Sequence, residues 1–514
     1  MRPYVRVSGH VAPLALLLAA LVGWLSTITA QQPERAGRQI VSDLTGPGID
    51  RGLRDADRPR LAREQRRWVQ TAGRSDYLSD SLIVRFRPGT STALQQAMMA
   101  LVSGTAGPVL SYADFQIVSL AGGDPEAVAQ RLRAQPDVEY AQPRYRARPM
   151  FAPNDPLYSL QWNYPQIGMD RAWDINRGAS SNVIVAILDT GVAFRSAVLR
   201  YNAIAWQRED GVMFPALGPV DIPFAAAPDL GADRFVSPRD FIWDDQLPFD
   251  LAGHGTHVAG TVGQLTNNGA GGAGMAFNVR LMPVKVIDTE WDFIFNSPFV
   301  GTDDTVSRGI RYATDNGAKV INMSIGRDGG PAPAVQSAIT YAVSHGVFVA
   351  VAGGNDFDGT APERYAEFAP QIDGMVAVGA TGRDRLRASY SRPGSFIELV
   401  APGGDFDRGG AAAGVIQQTL DLDLVETFTG PVSRYRAPRF DVFAYYPFEG
   451  TSMSTPHVSG LAAMLLDQGV TSPGAIEAIL KQTATDLGPA GRDNEYGYGL
   501  INPRAALRGM GLAK

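Results

Sequence analysis

The chain has 514 residues and no cysteine, is 45% hydrophobic and 19% charged, and carries a net charge of −6. It is apolar enough to bury a sizeable core. The absence of cysteine excludes disulfides, thiol catalysis and thiolate metal sites, and the acidic balance argues against a nucleic-acid partner. The charge is uneven: residues 1–150 hold 19 Arg against 13 Asp and Glu, a net of +6, and the remainder carries a net of −12. A basic front segment suits docking on an acidic body, although an Arg-rich leader would carry the same charge.

In chain order, Arg2 and Arg6 precede an apolar stretch over residues 11–25, and Thr27, Ile28 and Thr29 lead to Ala30, a small residue suited to cleavage. Residues 1–30 therefore read as a secretory signal peptide. An uncleaved anchor is the competing reading, but the run is shorter than the roughly 20 residues that span a bilayer. Residues 31–79 lack an apolar period and read as a flexible, Arg-rich linker. The pattern then predicts a strand over 82–86, a helix over 92–102, two short strands within 109–120 around Ala113 and Asp114, a helix over 124–135 and a strand over 138–141. Asp124 caps the second helix and Pro125 starts it. This β-α-β-β-α-β order predicts a small α+β, ferredoxin-like domain over residues 80–148.

From residue 151 to 514 the pattern is α/β. Near-continuous apolar runs at 183–188, 279–286, 320–323, 347–352 and 375–378 read as strands buried on both faces. Helices are expected at 305–316, 332–345 and 472–482. The expected architecture is a doubly wound, mostly parallel sheet with helices on both faces. No internal repeat is visible, and no further domain is expected after the glycine-rich turn at 496–499.

Three segments carry the chemistry. Asp189, in Leu188-Asp189-Thr190-Gly191, falls at the carboxyl end of the first buried strand, where open α/β sheets gather ligands. Alone, this tripeptide is as compatible with an aspartic protease, a phosphatase or a turn. His254 lies in Gly253-His254-Gly255-Thr256-His257, at the start of a small-residue helix. His254 and His257 could ligate zinc only with a third ligand and a different spacing. Ser452 lies in Gly450-Thr451-Ser452-Met453-Ser454-Thr455-Pro456-His457, entering a helix whose N-terminus favours developing negative charge. Pro456 is expected early enough in that helix for its missing N–H to be tolerated.

Together, and in the order Asp, His, Ser, these segments resemble the subtilisin-like serine proteases, the subtilases, over about residues 151–505. The resemblance implies that Ser452 is the nucleophile, His254 the general base and acid, and Asp189 the residue that orients the imidazole. It implies that the Asn355 side chain, with the Ser452 N–H, forms an oxyanion hole. Ser324, Ile325 and Gly326, with Ala352, Gly353 and Gly354, match the walls of the family's substrate groove and would bind an extended peptide through backbone hydrogen bonds. Asp356 and Asp358 near its rim could favour a basic residue before the cut, or serve as solvated loop charges. Residues 81–145 resemble the family's ferredoxin-like prodomain, an inhibitory chaperone removed by self-cleavage between about Tyr145 and Pro153.

The resemblance also implies calcium, a structural cofactor that could replace absent disulfides. Its ligands would be Asp155, the carbonyls of Leu265, Ala270 and Gly272, and the Asn268 side chain. The family's further aspartate follows soon after the catalytic one; here Pro228-Asp229-Leu230 matches, with an insertion over about 194–227. A second insertion spans about 406–448. The expected enzyme is a secreted, monomeric serine endopeptidase, extracellular or periplasmic. It would act on protein or peptide substrates, with its own prodomain as partner in cis and with no organic cofactor. A non-catalytic binding protein of the same fold would lack part of the triad, and no Gly-x-Ser-x-Gly elbow supports an esterase.

Overall fold

The computed structural model describes residues 68–69, 77–145, 151–208, 211, 213–355, 363–425 and 436–509. The expected signal peptide, most of the expected linker, and Asp356 and Asp358 lie outside them. The chain forms two compact units, Met1–Arg148 and Pro149–Lys514.

In the first unit, β1 (Tyr77–Phe86), α1 (Thr92–Leu101), β2 (Gly104–Val109), β3 (Gln116–Leu120), α2 (Pro125–Arg133) and β4 (Val138–Tyr145) follow one another. The strands lie in the order β4-β1-β3-β2, all antiparallel. Alternate residues of β1, Leu82 and Val84, point inward onto Met98, Met99, Val118 and Leu132. The Asp124 carboxylate accepts from the N–H groups of Glu126 and Ala127, capping α2 as expected. Two boundaries differ from expectation. β1 starts at Tyr77 and pairs there with a two-residue strand, Trp68–Val69, inside the expected linker, and the strand expected near residue 109 lies earlier, at Gly104–Val109. Its glycine lead hides it from an apolar count: a Cβ on Gly104 would sit 2.8 Å from Val118 Cγ1.

The second unit is built on β5 (Ile184–Asp189), β6 (Ala197–Ala203), β7 (Gly218–Phe224), β8 (Arg239–Asp240), α3 (His254–Gly263), β9 (Arg280–Lys285), α4 (Asp303–Asp315), β10 (Val320–Met323), α5 (Pro333–Ser344), β11 (Phe348–Ala352), β12 (Met375–Thr381), β13 (Leu399–Pro402), β14 (Val415–Leu420), β15 (Phe443–Phe448), α6 (Thr451–Asp467) and α7 (Pro473–Thr483). Seven strands form one sheet in the order β8-β9-β5-β10-β11-β12-β13, every pair parallel. Separate hydrophobic clusters cover its two faces, which is why its strands read as unbroken apolar runs. The strand order reverses at β5, with β9 on one side and β10 on the other, so the carboxyl end of β5 is a topological switch point. Asp189 ends that strand. Both expected insertions carry antiparallel hairpins, β6 with β7 and β14 with β15.

Candidate active site

Asp189 is fully buried. Its Oδ1 accepts from His254 Nδ1 at 2.6 Å and from the Thr190 N–H at 2.8 Å. His254 starts α3, its side chain 29% exposed. The helix approaches β5 so closely that a Cβ on Gly255 would lie 2.1 Å from the Gly191 carbonyl oxygen and 3.0 Å from Asp189 Cβ. Glycine at 255 is thus a condition of the His–Asp contact. Burial pulls the His254 pKa down, but the charge and hydrogen bond of Asp189, joined by the charge of Asp250, outweigh it and hold the imidazole above its ordinary 6.5.

Asp250 was not anticipated. This buried carboxylate accepts from Thr190 Oγ1 at 2.9 Å, from the Ala252 and Gly253 N–H groups at 3.0 and 2.8 Å, and from the Thr256 N–H and Oγ1 at 2.9 and 2.6 Å. It binds the turn after Asp189 to the start of the His254 helix. An acidic residue one turn ahead of a helix start was the available signal.

Ser452 is the second residue of α6. Its Oγ donates to the Ser324 carbonyl at 3.1 Å, and the Ser324 hydroxyl donates back to the Ser452 carbonyl at 2.7 Å. The second bond corrects the expectation for Pro456. That proline lies inside α6, past the first turn, where its missing N–H leaves the Ser452 carbonyl without its helical donor. Ser324 fills the vacancy and thereby ties the end of β10 to the nucleophile's helix.

Asn355 completes the constellation. Its side-chain oxygen accepts from the Thr451 N–H and Oγ1, both at 2.8 Å. The amide is thereby oriented with Nδ2 toward Gly450, 3.1 Å from where a Cβ would stand. Gly450 has φ +149, so a side chain there would be both strained and crowded. Thr451 Oγ1 also accepts from the Gly354 N–H at 3.2 Å. Ile325, Ala352 and Gly353 are buried, so the two strand ends offer backbone, not large side chains, to a bound chain.

The other histidines of the motifs are scaffolding. His257 Nε2 donates to the carbonyls of Val415 and Tyr446 at 3.0 and 3.1 Å, and its ring stacks on Phe448. His457 Nδ1 donates to the Met453 carbonyl and its Nε2 accepts from Asn163. Burial pushes their pKa values down to about 3 and about 4. Among the described residues no three His, Cys, Asp or Glu side chains converge as a metal site.

Of the residues expected to ligate calcium, Asp155 and Asp229 both reach the loop that carries Asn268. Asp155 accepts from the N–H groups of Asn267 and Asn268 at 2.7 and 3.1 Å. Asp229 accepts from Asn268 Nδ2 and Gln264 Nε2 at 2.8 Å each and from the Tyr445 hydroxyl at 3.0 Å, and its carbonyl takes the Leu265 N–H. Burial raises the Asp229 pKa, hydrogen bonds from Asn268, Tyr445 and Gly272 oppose that, and the Asp155 charge adds to it.

Comparison with known proteins agrees with the fold of both units. The Subtilase family model matches residues 180–499, and the Fervidolysin N-terminal prodomain model matches 64–144. A thermophilic serine proteinase of Bacillus sp. (strain AK1) is 32% identical over 433 residues, covering 84% of this chain and 88% of that relative. An extracellular protease of Xanthomonas campestris is 31% identical over 421 residues, 78% of this chain and 64% of the relative. Among solved structures, a protease from Pseudoalteromonas arctica superposes with a TM-score of 0.54 at 28% identity, covering 70% of this chain and all of that one. The matched family models and the 32% identical relative together show that the chain belongs to the subtilase family as a serine-type endopeptidase with an N-terminal prodomain.

Proposed function

We propose that the chain is an exported precursor whose peptidase acts through Ser452, His254 and Asp189 and releases its own prodomain by self-cleavage. The observation that carries this reading is the 2.6 Å hydrogen bond between His254 Nδ1 and Asp189, with Ser452 at the N-terminus of a helix that packs on the one His254 starts. With its Nδ1 proton held by Asp189, the neutral imidazole has Nε2 free to accept the Ser452 proton. The Ser452 hydroxyl exchanges its bond to the Ser324 carbonyl for one to Nε2 as it attacks the scissile carbonyl. The tetrahedral oxyanion then takes the Ser452 N–H and Asn355 Nδ2, the latter oriented by Thr451; such a donor is typically worth about 3–4 kcal/mol. His254 next gives its proton to the leaving amine, and water repeats the sequence on the acyl-enzyme. Ser324, Ile325 and Gly326 line one side of an extended substrate, and Ala352, Gly353 and Gly354 the other.

Asp155 and Asp229 meet at the Asn268 loop, and with the Asn268 side chain and the carbonyls of Leu265, Ala270 and Gly272 as further oxygen donors the set would suit a hard cation such as calcium. It would be structural, offsetting the repulsion between the two carboxylates. Export is supported by the basic and apolar start of the chain and by a relative that is named an extracellular protease. No helix of the described residues is long and apolar enough to cross a membrane.

The test expresses the full precursor beside Ser452→Ala and sequences the N-termini of the products. The expected result is that the wild type alone shortens to a start near residue 150. Equal shortening of both assigns the cut to another protease. An unprocessed wild type that cleaves no peptide refutes the assignment of the triad.

A further inference from the structure

Between the two strand ends read above as groove walls stands a carboxylate that no motif pointed to. Glu363 is 6% exposed. A Cβ on Gly326 would lie 2.2 Å from its Oε1 and 2.5 Å from its Oε2, and a Cβ on Gly354 would lie 3.2 Å from its Cβ and 3.6 Å from Oε2. The Glu363 side chain thus occupies the space that glycine leaves on both walls, closing the slot between them. Oε1 is committed: it accepts from the N–H of Arg327 at 2.9 Å and of Tyr365 at 3.4 Å. Oε2 has no hydrogen-bond partner among the described residues.

The neighbouring cations have carboxylate partners of their own. Arg327 pairs with Asp303 at 2.6 Å, Arg364 with Glu367 at 2.8 Å, and the buried Arg392 reaches Asp328 at 3.4 Å. Tyr365 donates its hydroxyl to Asp303. A desolvated carboxylate with one free oxygen at the end of a slot is a receptor for a positively charged group that arrives on a long apolar stem. We propose that Glu363 closes the primary specificity pocket and that its free oxygen selects substrates with Arg or Lys immediately before the scissile bond. The proposal rests on reading these strand ends as the substrate groove.

Burial raises the Glu363 pKa to about 7, while the Arg327 and Tyr365 N–H groups and the Arg392 charge pull it down and Asp328 adds to the rise. Recognition of a cation needs the ionised form, so the preference strengthens as pH rises through about 7. The measurement is kcat/KM on peptides that differ only in the residue before the cut (Arg, Lys, Gln, Leu or Ala), across pH 6 to 9. The wild type is expected to favour the basic peptides by roughly 10- to 100-fold above pH 8 and by much less at pH 6. Glu363→Gln collapses that ratio and removes its pH dependence, and Glu363→Asp, which keeps the charge, retains part of it. Melting curves of both variants establish that they are folded. A wild type that cuts neutral or small residues as well as basic ones, or a Glu363→Gln enzyme that keeps the preference, overturns the proposal alone. A wild type that cleaves no peptide overturns the groove reading with it.

Discussion

Asp250 links the two halves of the Asp189–His254 pair. Its five hydrogen bonds reach Thr190 on one side and Ala252, Gly253 and Thr256 on the other, and its charge contributes to holding the His254 pKa up. It touches neither substrate nor reacting atoms and is a positioning residue. Asp250→Asn keeps one acceptor oxygen but turns an amide toward the Thr256 donors, leaving buried N–H groups facing each other at a cost of about 1–3 kcal/mol. The expected kinetic result is a fall in kcat with little change in KM, because the imidazole loses its alignment and not its substrate. A second readout separates charge from scaffold. Catalysis needs neutral His254, so activity rises with pH through the His254 pKa. Removing the Asp250 charge lowers that pKa, and the acid limb of the kcat profile moves to lower pH. A limb that stays in place with reduced kcat means that Asp250 acts by its hydrogen bonds alone.

At the scale of elements, the hairpin of β14 and β15 is the brace of the catalytic helix. Thr419 Oγ1 donates to the Gly253 carbonyl, and the Val415 and Tyr446 carbonyls receive His257. The connection between β14 and β15 carries Phe440, 1% exposed, which stacks on Phe224 of β7 with ring centroids 5.2 Å apart. Both insertions therefore share one aromatic core beside the start of α3. Phe440→Ala should cost about 3–5 kcal/mol, read as a lowered melting temperature. Activity should be lost on warming well before that of the wild type, because the helix bearing His254 loses its brace. An unchanged melting temperature would mean that the two hairpins close over the gap. How far this architecture was legible follows from what writes a signal in sequence. Strands buried on both faces announce themselves as apolar runs, so β5, β9, β10, β11 and β12 were readable within a residue or a few. The two-residue edge strand Arg239–Asp240 has no apolar content, Leu399–Pro402 ends in proline, and the hairpins pair residues from opposite ends of an aperiodic insertion. Asp189, His254, Ser452 and Asn355 stood out in the sequence because each lies in a small local motif, and the structure brings His254 to Asp189 and Asn355 to the start of the Ser452 helix. Asp250 and Glu363 work through partners brought to them by the fold, and the chain around them carries no period or motif that names their role.

The molecule as a whole has no disulfide to hold its parts together, and the Asp155–Asp229 cluster occupies the place where a staple would act. Asp155 belongs to the start of the second unit, Asp229 follows the first hairpin, residues 265–272 follow α3, and Tyr445 comes from β15. Four segments distant in sequence converge there. A Cβ on Gly271 would stand 2.0 Å from Asp229 Oδ2, so the loop is shaped around the carboxylate. A bound calcium stabilises the folded state by mass action, about 2.7 kcal/mol when free calcium exceeds the dissociation constant 100-fold. A strong chelator should then lower the melting temperature by a few degrees and hasten self-digestion, since locally opened chain is substrate for an active peptidase. Measuring on the inactive Ser452→Ala protein separates the two effects, because only unfolding remains. Asp229→Asn should melt near the chelated wild type and respond no further to chelator or added calcium. If the chelator leaves the inactive protein unchanged and Asp229→Asn still lowers its melting point, the cluster holds through Gln264, Asn268 and Tyr445 alone. The staple is then a hydrogen-bond network and calcium has no part in it.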